Sequence, residues 1–73
     1  MEKGKINKRT TKKNIICLEL EKNDGKIVTI SERYIRNHEV WKTLADGVYD
    51  VEYELMNGKP VKIKIGSTLI DLT

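Results

Sequence analysis

Few side chains in this sequence are of the types that catalyse reactions. His38 is the only histidine, and nothing near it supplies a nucleophile and a carboxylate in a recognisable catalytic motif. Cys17 stands in an apolar stretch without the cationic neighbour that activates a thiol, so we expect a small buried side chain. The sequence therefore predicts a protein that is not an enzyme and that uses no cofactor or small-molecule substrate.

Three carboxylates at alternate positions, Asp50, Glu52 and Glu54, form the next candidate site. Acids on one face of a strand could bind a divalent cation through their oxygens. Lys62 and Lys64 follow on the far side of a short turn, and we expect them to lie opposite these acids and neutralise them. No metal site is predicted, and the sequence contains no phosphate-binding loop, dinucleotide-binding motif or zinc spacing.

The cations are distributed unevenly along the chain. The net charge is +3, but residues 1–13 carry six cations against one carboxylate, and residues 14–73 carry eight against ten. Ile6 is the one apolar residue after Met1 in the first segment, which is too little to offset the entropy of ordering it. The sequence therefore predicts a flexible basic tail, 1–13, followed by one domain, 14–73. The tail cations are Lys3, Lys5, Lys8, Arg9, Lys12 and Lys13.

Four further cations are predicted to assist the tail. Arg33 and Arg36 lie one turn apart on a predicted helix, and Lys26 and Lys59 each follow a turn glycine. All four could bind phosphates. The alternative for the arginines is pairing with neighbouring glutamates, and for the lysines it is ordinary solvation of the turns.

A hairpin over residues 49–65 is the strongest structural signal, because apolar and charged residues alternate on both sides of Asn57-Gly58. A two-residue loop would place an apolar row opposite a lysine row. We therefore expect a three-residue loop, Met56-Asn57-Gly58, with a left-handed glycine. The pairs predicted by this register are Tyr53–Val61, Val51–Ile63, Tyr49–Ile65, Glu52–Lys62 and Asp50–Lys64.

An earlier hairpin follows the same plan. Residues 15–21 and 27–30 are predicted strands, joined by a three-residue loop at Asn23-Asp24-Gly25. Parity then places Leu20 opposite Val28 and Leu18 opposite Ile30, with Ile16, Leu18 and Leu20 facing inward.

The remaining elements are one helix and a last strand. The helix is expected to begin after a Ser31 cap and to end at Asp46-Gly47, with a break at Asn37-His38 as the alternative. The last strand covers residues 68–73. The aromatic residues match core faces, so we expect them to be structural: Tyr34, Trp41, Tyr49 and Tyr53.

The predicted order is β-β-α-β-β-β, which favours an α+β, mostly β fold. A small curved antiparallel sheet or an SH3-like, partly open barrel is expected, with a flatter α+β sandwich as the alternative. A single cysteine fits a reducing, cytoplasmic location. No apolar run approaches the roughly 20 residues of a membrane span, so no membrane partner is expected. The absence of glutamine and the wealth of Lys, Glu and Ile favour a thermophilic source.

The leading hypothesis is non-enzymatic nucleic-acid binding through contacts of the tail with phosphates, with structured RNA favoured over DNA. A basic tail on a nearly neutral domain resembles small ribosomal or ribosome-associated proteins, which implies ribosomal proteins as further partners. Under this hypothesis, deleting residues 1–13 abolishes binding and leaves the fold intact. The alternatives are a protein-interaction module or small viral or accessory factor docking through the strand at 68–72, and a DNA-binding chromatin-type protein.

Overall fold

Six strands and two short helices make up the fold, with both helices between the third and fourth strands. A computed structural model describes residues 1–36 and 38–72. The elements are β1 (Glu2–Thr10), β2 (Ile16–Glu21), β3 (Ile27–Thr29), α1 (Glu32–Arg36), α2 (Val40–Thr43), β4 (Gly47–Met56), β5 (Lys59–Ile65) and β6 (Thr68–Asp71). The fold is therefore mostly β, as predicted, but with one more strand and one more helix than the sequence suggested.

All six strands form one open antiparallel sheet in the order β3-β2-β1-β4-β5-β6. The first strand lies in the middle of this sheet, where it pairs with β2 on one side and β4 on the other. The prediction of a flexible basic tail over residues 1–13 is therefore wrong for the nine residues of β1.

The central strand forms although its sequence shows no hydrophobic alternation. Its inward positions include Gly4, Ile6 and Lys8, and only Ile6 is a large apolar side chain, fully buried. A Cβ at Gly4 would overlap the carbonyl oxygen of Glu21 and would lie 2.8 Å from Cε1 of Tyr53. Glycine at this position therefore allows β1 to approach both neighbouring strands closely.

The hairpin of β4 and β5 differs from its predicted register. Met56 pairs with Lys59 across a two-residue loop, in which Asn57 and Gly58 have φ of 53° and 78°. Positive φ at both positions is typical of the type I′ turn that Asn-Gly favours. The three-residue loop was therefore the wrong choice.

A bulge keeps the apolar residues of β4 and β5 on the same face of the sheet, which the two-residue loop alone would not do. The register shifts between Glu54 and Leu55, whose partners are Lys62 and Pro60, so Val61 is the extra residue. Proline lacks a backbone N–H and is tolerated beside such irregularities. Each strand keeps its predicted faces, but the partners move by two positions. The observed pairs are Tyr53–Ile63, Glu52–Lys64 and Glu54–Lys62.

The hairpin of β2 and β3 has the predicted register. Leu20 pairs with Val28, and the N–H of Ile30 donates to the carbonyl of Leu18. Lys22 and Lys26 close the three-residue loop with a hydrogen bond of 2.9 Å between their backbones, and Gly25 has φ of 84°. Both pairs predicted for this hairpin are therefore confirmed.

One predicted helix is replaced by two short ones, which matches the alternative with a break. The predicted break was at Asn37-His38, and Asn37 lies outside the described residues. The last strand was predicted to reach Thr73, which also lies outside them.

The core receives side chains from both helices, since Ile35 of α1 and Trp41 of α2 are buried. The buried apolar core comprises Ile6, Leu18, Leu20, Ile30, Ile35, Trp41, Val51, Tyr53, Ile63, Ile70 and Leu72. Within the described residues, neither helix has the length and apolarity needed to cross a bilayer.

Candidate nucleic-acid interface

Lys8, one of the predicted phosphate-binding residues, is buried within the protein and only 5% exposed. Its ammonium donates a hydrogen bond to the carbonyl of Leu44 and lies 3.5 Å from Oδ1 of Asp46. Because this charge is already bound on the inside of the sheet, Lys8 is excluded as a phosphate ligand.

Asp46 links the end of β1 to the start of β4 through its contacts with Thr10 and Lys8, and we call this link the latch. Its carboxylate accepts hydrogen bonds from the backbone N–H of Thr10 at 2.8 Å and from the Thr10 hydroxyl at 2.7 Å. The hydrogen bond from the Thr10 hydroxyl is the largest of the effects that lower the pKa of Asp46 below its usual value of 3.8. The hydrogen bond from the Thr10 N–H and the nearby ammonium of Lys8 also lower this pKa, and together the three effects outweigh partial desolvation, which raises it. The latch therefore fixes where the β1–β2 loop leaves the sheet.

The three other cations of β1 point to the outer face of the sheet. They are Lys3, Lys5 and Arg9. Lys5 lies 3.9 Å from Asp50, and Lys3 stands opposite Glu52 in the register. Arg9 stands opposite Cys17, which is half-buried on this same outer face. The prediction that Cys17 is buried is therefore wrong, because it alternates with the inward residues of β2.

This outer surface, the sheet face, carries more acid than base. Glu52 also lies 3.9 Å from Lys64, so neighbouring strands alternate in charge across the sheet. The cations of the sheet face are Lys3, Lys5, Arg9, Lys62 and Lys64, and its carboxylates are Glu19, Glu21, Asp50, Glu52, Glu54 and Asp71. Five cations against six carboxylates give this face no net positive charge to attract a polyanion, so we leave Lys3 and Lys5 out of the candidate interface.

Lys12 and Lys13 lie at the tip of a hydrogen-bonded hairpin loop between β1 and β2. Asn14 completes this three-residue loop in the left-handed conformation, at φ of 63°. The Thr11 hydroxyl accepts hydrogen bonds from the N–H groups of Lys13 and Ile15. Both lysine side chains are exposed, so a hydrogen-bonded loop presents two charges to the solvent.

A cleft of about 230 Å³ joins this loop to the two helices. Asn14 and Ile15 line it on the loop side, and Arg36 and Lys42 line it on the helix side. Arg36 is therefore brought to the same cleft as the loop that carries Lys12 and Lys13, although at least 23 positions separate it from them. Lys42, which the sequence did not single out, joins them, but it is 3.2 Å from Glu39.

A second cleft, of about 370 Å³, lies on the other flank of α1. Arg33 and Lys59 line it together, with Thr29, Ser31 and Tyr34 as the other lining residues. The sequence proposed Arg33 and Lys59 separately, and the fold brings the β4–β5 turn to the helix so that both face one space. We call this the Arg33–Lys59 cleft.

Together these residues form a surface that we call the basic face. Its cations are Lys12, Lys13, Arg33, Arg36, Lys42 and Lys59. The two carboxylates beside them are Glu32, which lines the 230 Å³ cleft, and Glu39. Apart from Lys42, none of these cations forms an ion pair within 4.0 Å in the described part of the chain. The molecule thus has a basic face and a sheet face whose cations and carboxylates nearly balance.

Lys26 belongs to neither face. It closes the β2–β3 loop, where its N–H donates to Oδ1 of Asp24 at 2.9 Å. This hydrogen bond lowers the pKa of Asp24, and the nearby charges of Lys22 and Lys26 add to the effect. The Asp24 carboxylate therefore offsets part of the charge that Lys26 could offer a phosphate.

No protein-family model matches the chain, and comparisons with curated proteins and with solved structures gave no match either. The function is therefore argued from the geometry and charge of the basic face.

Proposed function

We propose that this protein is a non-enzymatic nucleic-acid-binding protein whose basic face contacts phosphates, with RNA favoured over DNA. The observation that carries the proposal is the segregation of charge between the two faces. Six cations with two carboxylates lie on the basic face, whereas the sheet face has more carboxylates than cations. Such a separation orients a polyanion toward one side of the molecule.

The local structure around the cations also supports phosphate binding by the basic face. Lys12 and Lys13 are presented by a hydrogen-bonded loop, and Arg33 and Arg36 are presented by one helix turn. A hydrogen-bonded loop and a helix lose less backbone freedom on binding than a flexible tail does. The six strands form one open sheet, so the SH3-like, partly open barrel expected from the sequence stays a prediction.

The proposal is tested by removing three cations from each face in turn. The variant K12A/K13A/R36A removes charge from the basic face, and the matched variant K3A/K62A/K64A removes the same charge from the sheet face. We expect the first to lower the affinity for RNA by at least about tenfold and the second to change it by less than about threefold. Fluorescence anisotropy with labelled RNA measures both.

Two outcomes contradict the proposal. Equal losses in the two variants mean that net charge, and not the basic face, governs binding. Equal affinity for duplex DNA and RNA removes the preference for RNA and favours the chromatin-type alternative.

A second candidate function is a protein-interaction module that docks through β6. Within residues 1–36 and 38–72, this strand is at the edge of the sheet with β5 as its one neighbour, and Leu69 on it is 56% exposed. An exposed edge can accept a strand from a partner. Partner binding of this kind would survive nuclease treatment and the K12A/K13A/R36A changes, and Leu69→Lys would abolish it by placing a charge at the edge.

A further inference from the structure

We infer that the Arg33–Lys59 cleft seats one unpaired nucleotide of a single-stranded nucleic acid, with its base against Tyr34. The inference rests on the proposed function and specifies the ligand of one part of the basic face. It assigns phosphate contacts to Arg33 and Lys59 and a stacking surface to Tyr34, three side chains that line the same cleft.

Tyr34 differs from the other two tyrosines in the hydrogen bonding of its hydroxyl group. The hydroxyl of Tyr49 donates to the carbonyl of Ala45, and the hydroxyl of Tyr53 accepts the N–H of Asn23. Within residues 1–36 and 38–72, the hydroxyl of Tyr34 has no hydrogen-bond partner. Tyr34 is half-buried, packs against the core with part of its surface and lines the cleft with another part.

The chemistry of the cleft matches the parts of a nucleotide. An aromatic side chain stacks on any base, and Arg33 and Lys59 supply charge for the flanking phosphates. Ser31 is exposed at the same cleft, and Thr29 lines it too, so hydroxyl groups are available for the sugar or the base edge.

The shape of the cleft selects for an unpaired strand. Its volume of about 370 Å³ lies between the β4–β5 turn and α1, so a base must leave its stack to reach Tyr34. A duplex presents its phosphates outward and keeps its bases paired, so it can contact the cations but not the ring. The protein is therefore expected to prefer single-stranded over duplex RNA of equal length.

The test compares Tyr34→Leu with Tyr34→Phe, using a labelled oligouridine strand and a blunt RNA duplex of equal length. Leucine retains apolar packing and removes the aromatic face, whereas phenylalanine retains the face. We expect Tyr34→Leu to weaken single-strand binding about 5- to 100-fold and to leave duplex binding unchanged. Tyr34→Phe should stay within about threefold of the natural protein. Tyr49→Leu, a tyrosine outside the cleft, is the matched control and should change neither affinity.

A photochemical measurement gives a readout that does not depend on affinity. A strand carrying 4-thiouridine is irradiated in the complex, and the crosslinked peptide is identified by mass spectrometry. Crosslinking at residues 29–34 or at Lys59 supports the seat. Crosslinks found only outside these residues, equal affinity for single strand and duplex, or equal losses for Tyr34→Leu and Tyr49→Leu overturn the inference.

These results separate the inference from the proposed function. If K12A/K13A/R36A lowers RNA affinity while Tyr34→Leu does not, the basic face binds RNA and the nucleotide seat is wrong. If K12A/K13A/R36A has no effect, the proposed function itself is wrong.

Discussion

The carbonyl oxygen of Leu44 accepts a hydrogen bond from the ammonium of Lys8, which reaches it from the inner side of the central strand. The link joins residues 36 positions apart and holds the segment after α2 against β1. Lys8→Met keeps the apolar stem but removes the donor, which leaves a partly buried carbonyl unsatisfied. We expect the free energy of unfolding in urea to fall by about 1–3 kcal/mol. Lys3→Met, at an exposed position of the same strand, should change it by less than about 0.5 kcal/mol; equal effects would show that the buried link adds no stability.

Gly4→Ala should destabilise the fold through a steric clash. The added methyl group would overlap the carbonyl oxygen of Glu21 and press on the ring of Tyr53. Overpacking of this kind costs about 1–3 kcal/mol. A double-mutant cycle with Tyr53→Leu separates the two contacts, because removing the ring relieves only one of them. The double variant should lose less stability than the sum of the single variants, and simple additivity would contradict the ring contact.

Acid should weaken the latch at Asp46. Its folded pKa lies below the usual value of 3.8, so its contribution to stability is present above pH 3.8 and is lost as the pH falls through the folded pKa. Asp46→Asn cannot ionise. We therefore expect the stability difference between the natural protein and Asp46→Asn to be constant near neutral pH and to shrink below pH 3.8. Unfolding in urea across this range measures it, and a difference that stays constant to low pH would contradict the lowered pKa.

Salt should weaken RNA binding by an amount set by the number of phosphates engaged. Five cations of the basic face form no ion pair within the described residues: Lys12, Lys13, Arg33, Arg36 and Lys59. At about 0.7 counterions released per phosphate of a single strand, the log–log slope of affinity against salt should be about −3 to −4. K12A/K13A should reduce the slope by about 1.4. A slope near zero would show that phosphate contacts do not drive binding.

Removal of residues 1–10 should unfold the domain. A flexible tail could be cleaved without structural consequence, and that was the expectation from composition. The central position of β1 means that its loss would leave β2 and β4 unpaired and expose Leu18, Leu20 and Tyr53, which are fully buried. Circular dichroism and the dispersion of amide resonances should show loss of the sheet. A folded truncation product would contradict the placement of β1.

Alternation in the sequence was enough to predict the strands whose inward residues are apolar. β2 and β6 alternate in this way, and the paired faces predicted for β4 and β5 are those observed. The exact partners in the second hairpin were not predictable from alternation alone, because a bulge at Val61 shifts the register while keeping the faces. Turn chemistry was the better guide there, since Asn57-Gly58 forms the tight turn that its residue types favour.

β1 escaped prediction because two of its inward positions carry residues that hide the pattern. Gly4 faces the core without an apolar side chain, and Lys8 is a charged residue that is satisfied by groups distant in the sequence. The signal that could have indicated a turn was Asn14, since asparagine tolerates the left-handed conformation that ends such loops.

The cations of the candidate interface were largely identifiable, but their grouping was not. Arg33 and Lys59 are 26 positions apart, on a helix and at the start of a strand, and they line one cleft only in the folded protein. Conversely, Lys3, Lys5 and Lys8 belong to the same charged run as Lys12 and Lys13 but lie on the sheet face or inside the protein. A run of like charges along a strand is divided between two faces by the pleat.

The central placement of β1 also bears on synthesis and folding. Glu2 opposes Tyr53, 51 positions later, so β1 must wait during synthesis until β4 has been made before its second neighbour exists. Pairing over such separations is slow, and unpaired apolar strands aggregate while they wait. With three lysines and an arginine around a single isoleucine, this strand stays soluble in the meantime. The charges that resemble a ligand-binding tail can thus act as protection for the nascent chain until the sheet closes around it.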